Sequence, residues 1–117
     1  MDKPFTRAAD DVVAGLSLIR DGAPATMKAF AGLAMAATAT NVIDTKTKEL
    51  MALAIGIAVH CAGCVAYHTR AALKAGATRD EVAETVALAL YMGGGPAAVY
   101  GADALRAYDE YVPAAGG

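Results

Sequence analysis

The sequence predicts an all-α fold of about six helices. Apolar residues recur with helical spacing along most of the chain, and little of it shows the strict alternation that is typical of β-strands. Of the 117 residues 30 are alanine, which favours helix and suits closely packed helices. The length fits one domain, so we expect residues 1–117 to fold as a single helical bundle.

The first half of the chain is expected to form three helices. The first covers residues 5–20, and the second covers residues 24–38, where its leading proline suits a first helical turn. The third covers residues 46–59, and either Asp44 or Thr45 can cap it.

The second half is expected to form three more helices. The fourth covers residues 61–75 and stops before Gly76, which stands where a left-handed C-cap is needed. The fifth, residues 78–92, opens with the capping-box sequence Thr78-Arg79-Asp80-Glu81. A Gly-Gly-Gly-Pro run then interrupts the helical pattern, and the last helix covers residues 96–111.

Composition excludes several classes of protein. The formal net charge is -2 and no basic stripe is present, so nucleic acid is not an expected partner. The first 18 residues are charged and have no apolar core, so we expect no signal peptide there. Two cysteines without a secretory signal indicate redox chemistry or a metal in a reducing compartment, and we therefore expect a cytoplasmic location.

The apolar content of the chain raises the questions of a membrane and of self-association. The 18 residues from Leu50 to Tyr67 include one strongly polar side chain, His60, and reach only the lower edge of a spanning length. Because this stretch is rich in small residues and is flanked by Glu49 and His68, we expect no membrane insertion. With 56% hydrophobic residues in so short a chain, part of the apolar surface is expected to be buried between copies of the protein.

The segment from His60 to His68 carries the chemistry. On a helix Cys64 lies one turn beyond Cys61, and His68 lies one turn further on the same face. The two cysteines are therefore close enough for a disulfide, and the imidazole can take a thiol proton from Cys64. The helix N-terminus stabilises a thiolate, and the second sulfur can resolve an oxidised first one. His60 points about 100° away from Cys61, so we place it outside this site.

Two other uses of a Cys-x-x-Cys pair fit the pattern less well. Covalent haem attachment requires a histidine directly after the second cysteine, where this chain has Val65. Zinc would need four ligands around one ion, which a single continuous helix does not supply. We therefore expect neither a metal nor another cofactor.

The chain resembles the carboxymuconolactone decarboxylase and alkylhydroperoxidase D-like family over about residues 43–106. The resemblance is carried by the spacing Glu-x11-Cys-x2-Cys-x3-His, which is much more specific than a cysteine pair alone. Matching residues stand in the expected order on both sides of this motif: Asp44, Lys46-Thr47-Lys48-Glu49-Leu50, Ala72, Gly76-Ala77-Thr78, Glu81-Val82 and Gly93-Gly94-Gly95-Pro96. The resemblance implies an alkylhydroperoxidase D-like helical bundle, assembled as a trimer or hexamer, with its active site at a subunit contact.

For redox members of the family the resemblance also implies roles. Cys64 attacks the peroxide, Cys61 resolves the sulfenic acid, and Glu49 orients the imidazole of His68 in a proton relay. Nothing in the spacing alone makes Glu49 catalytic. One departure from the family pattern is Gly63, because some peroxidase members have a second histidine at that place.

Two arguments disagree about which of the two sulfurs attacks first. Proximity to the helix N-terminus favours Cys61 as the attacking sulfur. The resemblance and the neighbouring base favour Cys64, and we side with Cys64 because a base both deprotonates and orients the sulfur.

The leading hypothesis is a peroxiredoxin-type oxidoreductase, an antioxidant thiol peroxidase or disulfide reductase. Its expected partners are a hydroperoxide or similar small oxidant and a dithiol electron donor. Two alternatives stay open: a decarboxylase-type lyase that does not depend on a cysteine pair, and a non-catalytic helical oligomer or metal-binding module.

Overall fold

The computed structural model describes residues 2–116, with side chains as far as residue 113. Six helices account for most of these residues, and no strand occurs among them. The helices are α1 (Pro4–Gly22), α2 (Pro24–Thr38), α3 (Thr45–Ala58), α4 (Ala62–Lys74), α5 (Arg79–Gly93) and α6 (Gly95–Gly116). The predicted all-α class and the number of helices are confirmed.

The boundaries of the first five helices lie within two residues of the predicted ones, whereas α6 continues past the predicted end at residue 111 to Gly116, with Pro113 inside it. The side chain of Asp44, rather than that of Thr45, caps α3 by accepting a hydrogen bond of 2.8 Å from the backbone N–H of Thr47. Thr78 and Glu81 form both bonds of the predicted capping box at the start of α5. The glycine run makes a much shorter interruption than expected, since Gly94 alone separates α5 from α6.

The core lies where α3, α4, α5 and α6 meet. α3 packs against α4 and α5, and α6 packs against the same two helices from the other side. Leu53, Ile57, Val65 and Val82 are fully buried there. Small buried residues let the helix backbones approach closely, and they are Ala72, Ala89, Ala97, Gly101 and Ala104.

Tyr111 joins α6 to two other helices. Its buried hydroxyl group lies 2.9 Å from the backbone oxygen of Ala66 in α4 and 2.9 Å from that of Phe5 in α1. Burial raises the pKa of Tyr111 to about 12. This contact fixes the helix that carries the candidate site against both ends of the chain.

α2 differs from the other helices because none of its residues is buried. It packs on α1 and touches α3 only slightly, and its single charged residue is Lys28. Large apolar side chains on α2 lie open to solvent: Phe30 is 51% exposed, Leu33 is 64% exposed and Met35 is 74% exposed. An exposed apolar patch of this kind is typical of surfaces that mediate contacts.

The apolar stretch that raised the membrane question is divided between two helices. α3 ends at Ala58 and α4 begins at Ala62, so Leu50 to Tyr67 does not form one continuous helix. Within residues 2–116, no helix combines the length and the apolar character that crossing a bilayer requires.

Candidate active site

The site is built on α4, on the turn that precedes it and on the face of α3 that packs against α4. Cys61 is the N-cap residue of α4, and its Sγ atom accepts a hydrogen bond of 3.2 Å from the backbone N–H of Cys64. The sulfur therefore takes the place that a serine or aspartate oxygen usually fills at a helix start. This arrangement puts Cys61 at the positive end of the helix dipole.

Cys61 and Cys64 form a disulfide in this structure, with their Cα atoms 5.2 Å apart. Both residues are half-buried. α3 approaches closely behind the pair, because a Cβ atom added at Gly56 would lie 3.0 Å from Cβ of Cys64. A larger residue at Gly56 would therefore press directly on the disulfide.

His68 and Glu49 are brought together from different helices. Nδ1 of His68 in α4 lies 2.8 Å from Oε1 of Glu49 in α3, and the two side chains are 26% and 11% exposed. With Glu49 ionised, the carboxylate can only accept, so the hydrogen of this bond belongs to Nδ1. Nε2 of His68 is then the nitrogen left free to exchange a proton.

His60 lies in the turn between α3 and α4 and directly precedes Cys61, the N-cap residue of α4. Its ring stacks on Tyr100 of α6, with ring centroids 5.2 Å apart and planes inclined by 10°. It makes no contact of this kind with His68, whose ring meets Tyr67 edge-on instead. His60 thus belongs to a separate aromatic contact next to the disulfide.

Gly63, the position that departs from the family pattern expected from the sequence, faces α1. A Cβ atom there would lie 2.9 Å from Cγ2 of Val12, closer than two such atoms can sit without movement. The first helix therefore occupies the space that a side chain at Gly63 would need.

An open groove of about 590 Å³ lies elsewhere, between α3 and α5. It is lined mostly by apolar side chains, among them Leu50, Met51 and Leu88. Helical phase places Glu49 on the opposite side of α3 from this groove. The groove is thus separate from the disulfide and the imidazole.

All four residues singled out from the sequence lie around the N-terminal half of α4. The structure pairs Cys61 with Cys64 and Glu49 with His68. Sequence reasoning missed the N-cap bond of Cys61, although a polar atom directly before a helix is the usual signal for a cap. Among residues 2–116, no group of three or more His, Cys, Asp or Glu side chains is arranged to hold a metal ion.

Comparison with known proteins gives one consistent family. The sequence profile of the carboxymuconolactone decarboxylase family matches residues 24–107, a span that also takes in α2. An uncharacterized protein of Cupriavidus necator is 43% identical over 86 residues, which are 74% of this chain and 76% of that protein. An uncharacterized protein from the cox locus of Paracoccus denitrificans is 32% identical over 82 residues, 70% of this chain and 74% of that protein.

Solved structures agree with the sequence comparisons. A carboxymuconolactone decarboxylase family protein from Legionella pneumophila superposes with a TM-score of 0.89 at 41% identity, covering 94% of this chain and 98% of that one. A family member from Thermotoga maritima, for which a part in the antioxidative response has been suggested, has a TM-score of 0.80 at 25% identity. That match covers 92% of this chain and 94% of the Thermotoga chain. The chain belongs to the carboxymuconolactone decarboxylase family.

Proposed function

We propose that this protein is a thiol-dependent oxidoreductase that reduces hydroperoxides through the Cys61–Cys64 pair. The observation that carries the proposal is the 2.8 Å bond between Glu49 and His68. His68 lies on α4, the helix whose first turn carries the disulfide. The bond between Glu49 and His68 joins α3 to α4 and fixes the orientation of the imidazole ring. An imidazole oriented by a carboxylate beside a thiol is the arrangement that activates a sulfur nucleophile.

In the first step, the thiolate of Cys64 attacks one oxygen of the hydroperoxide. The S–O bond forms while the O–O bond breaks, so the sulfur loses two electrons and becomes a sulfenic acid. The departing alkoxide takes a proton from His68, which received it from the Cys64 thiol, and leaves as an alcohol. Glu49 holds the ring through Nδ1 and stabilises the imidazolium between these two transfers.

In the second step, the sulfur of Cys61 attacks the sulfenic sulfur of Cys64. The S–S bond forms, the S–O bond breaks, and the hydroxide leaves as water with the proton of the Cys61 thiol. The product is the disulfide state that the structure has. A dithiol donor then returns both sulfurs to thiols by disulfide exchange and is itself oxidised.

The choice of Cys64 as the attacking sulfur rests on the neighbouring base. The N-cap position of Cys61 gives that sulfur one backbone N–H and the end of the helix dipole, which also stabilise a thiolate. Only Cys64, however, is one helical turn from His68. We therefore assign attack to Cys64 and resolution to Cys61.

Three further properties belong to the proposal. The suggested antioxidative part of the Thermotoga relative, with the same fold, supports an antioxidant role here. The uncovered apolar face of α2 supports assembly of copies, which we propose to be a trimer or hexamer. We place the activity in the cytoplasm, where dithiol donors keep such a pair cycling.

The test is a titration of the fully reduced protein with hydrogen peroxide and with an organic hydroperoxide. We expect one equivalent to consume both thiols, with a mass loss of two hydrogens, no added oxygen, and a Cys61–Cys64 link in the peptide map. Stable sulfinic acid or only intermolecular links would contradict the two-cysteine cycle. A variant with both cysteines changed to serine separates this function from a lyase, because decarboxylase activity on a muconolactone would survive in it.

A further inference from the structure

The turn before Cys61 is a Schellman motif with a histidine at its left-handed position. The backbone N–H of Cys61 donates to the carbonyl of Gly56 at 2.9 Å, and that of His60 donates to the carbonyl of Ile57 at 3.2 Å. His60 has φ +62°, and it is the only residue other than glycine with positive φ in the part of the chain that the structure describes. This conformation is unfavourable for a residue with a Cβ atom.

The same chain ends α4 with the same motif and uses glycine there. Gly76 has φ +99°, and its N–H donates to the carbonyl of Leu73 while the next N–H, of Ala77, donates to the carbonyl of Ala72. Glycine takes the left-handed conformation without steric cost. The two helix ends share the same pair of backbone hydrogen bonds, but the end next to the disulfide carries a histidine ring where glycine would be favoured.

The ring has one defined contact. It stacks on Tyr100 of α6 almost in parallel, so it connects the turn to a helix of the core. The residue that follows His60 is Cys61, whose sulfur caps α4 and is bonded to Cys64. The stack therefore restrains the peptide bond between His60 and Cys61, on the side of Cys61 away from α4.

We propose that His60 and Tyr100 form a clamp that positions Cys61 for disulfide formation. The clamp keeps the turn in its left-handed form and holds the Cys61 sulfur beside Cys64, which stabilises the disulfide relative to the dithiol. His60 is thus a positioning residue that acts through Cys61 and does not touch the peroxide. This inference deepens the proposed function and rests on the cysteine pair being a redox couple.

The test measures the equilibrium between protein dithiol and disulfide in mixtures of reduced and oxidised dithiothreitol, using thiol alkylation and mass. In His60→Gly the turn is kept and the ring is lost, whereas in Tyr100→Leu the histidine is kept and its partner is lost. Both changes are expected to shift the dithiol–disulfide equilibrium constant toward the reduced form by about 2- to 10-fold. This factor corresponds to the free energy that one aromatic pair contributes. His60→Phe keeps a ring that can stack, so it is expected to retain the wild-type equilibrium.

Two controls separate positioning from loss of fold. Gly76→Ala strains the matching turn at the end of α4 and is expected to lower thermal stability while leaving the redox equilibrium unchanged. Tyr91→Leu removes an exposed tyrosine of α5 and is expected to change neither quantity. An unchanged equilibrium in both His60→Gly and Tyr100→Leu, or a shifted one in His60→Phe, overturns the clamp. A wild-type pair that does not cycle at all with dithiothreitol would contradict the proposed function instead.

Discussion

Nδ1 of His68 lies 2.8 Å from Oε1 of Glu49, a residue that precedes it by 19 positions and belongs to another helix. The contact exists because α3 and α4 pack side by side after the tight turn at His60. It orients one imidazole nitrogen toward α3 and leaves the other for chemistry on α4. The proposed relay depends on this single bond, and the predictions below begin with it.

We expect Glu49→Gln and His68→Ala each to slow the reaction of reduced Cys64 with hydroperoxide by about 100- to 10,000-fold, the usual range for general acid–base help. Each change should also move the rise in Cys64 alkylation rate to higher pH. The double variant should lose little beyond either single one, since linked members of one relay act as a unit. Stopped-flow peroxide kinetics and iodoacetamide labelling measure both effects. Losses that multiply would mean that Glu49 acts outside the relay.

The two cysteine-to-serine variants are expected to lose different steps of the reaction. Cys64→Ser should abolish peroxide consumption, because the attacking sulfur is gone. Cys61→Ser should retain a single turnover and accumulate a sulfenic acid on Cys64, which a dimedone adduct detects by mass. The opposite pattern would show that the N-cap position of Cys61, with its helix dipole, selects the nucleophile.

The native protein is expected to be a multimer, with the exposed face of α2 in the contact. Leu33→Asp should weaken assembly by about 2 kcal/mol or more if this leucine lies in the centre of an interface. Asn41→Asp adds the same charge at the exposed connection after α2 and serves as the control. Multi-angle light scattering gives the mass directly. A wild-type mass of one chain, 11.8 kDa, at micromolar concentration would contradict assembly.

Tyr111→Phe is expected to lower the free energy of unfolding by about 1–3 kcal/mol at neutral pH, because the single O–H donor that lies within 2.9 Å of the carbonyl groups of Ala66 and Phe5 is lost. The same hydroxyl predicts a pH effect. Burial raises the pKa of Tyr111 from 10.0 to about 12, so the folded state favours the neutral phenol. Its contribution is therefore complete below pH 10 and is lost as the pH rises from 10.0 to about 12. Urea titrations across this interval should show a steeper loss of stability in the wild type than in Tyr111→Phe.

Local signals in the sequence were enough to predict the helices and part of the site. Proline in a first turn, the Thr78–Glu81 capping box and the glycine before Ala77 act within a few residues, so they could be recognised without a structure. The spacing of Cys61 and Cys64 likewise determines their closeness, because one helical turn brings them together. The family resemblance also followed from the order of motifs along the chain.

Only the tertiary structure determined the contacts between helices. Which face of α3 meets α4 depends on packing across the whole core, and that packing joins Glu49 to His68. The left-handed turn at His60 could not be predicted, because glycine is the residue that normally signals it and the stack on Tyr100 comes from a distant helix. The lack of room at Gly63 likewise comes from Val12 on α1. Spacing along a chain reports neighbours on one helix, whereas contacts between helices depend on how their faces fit together.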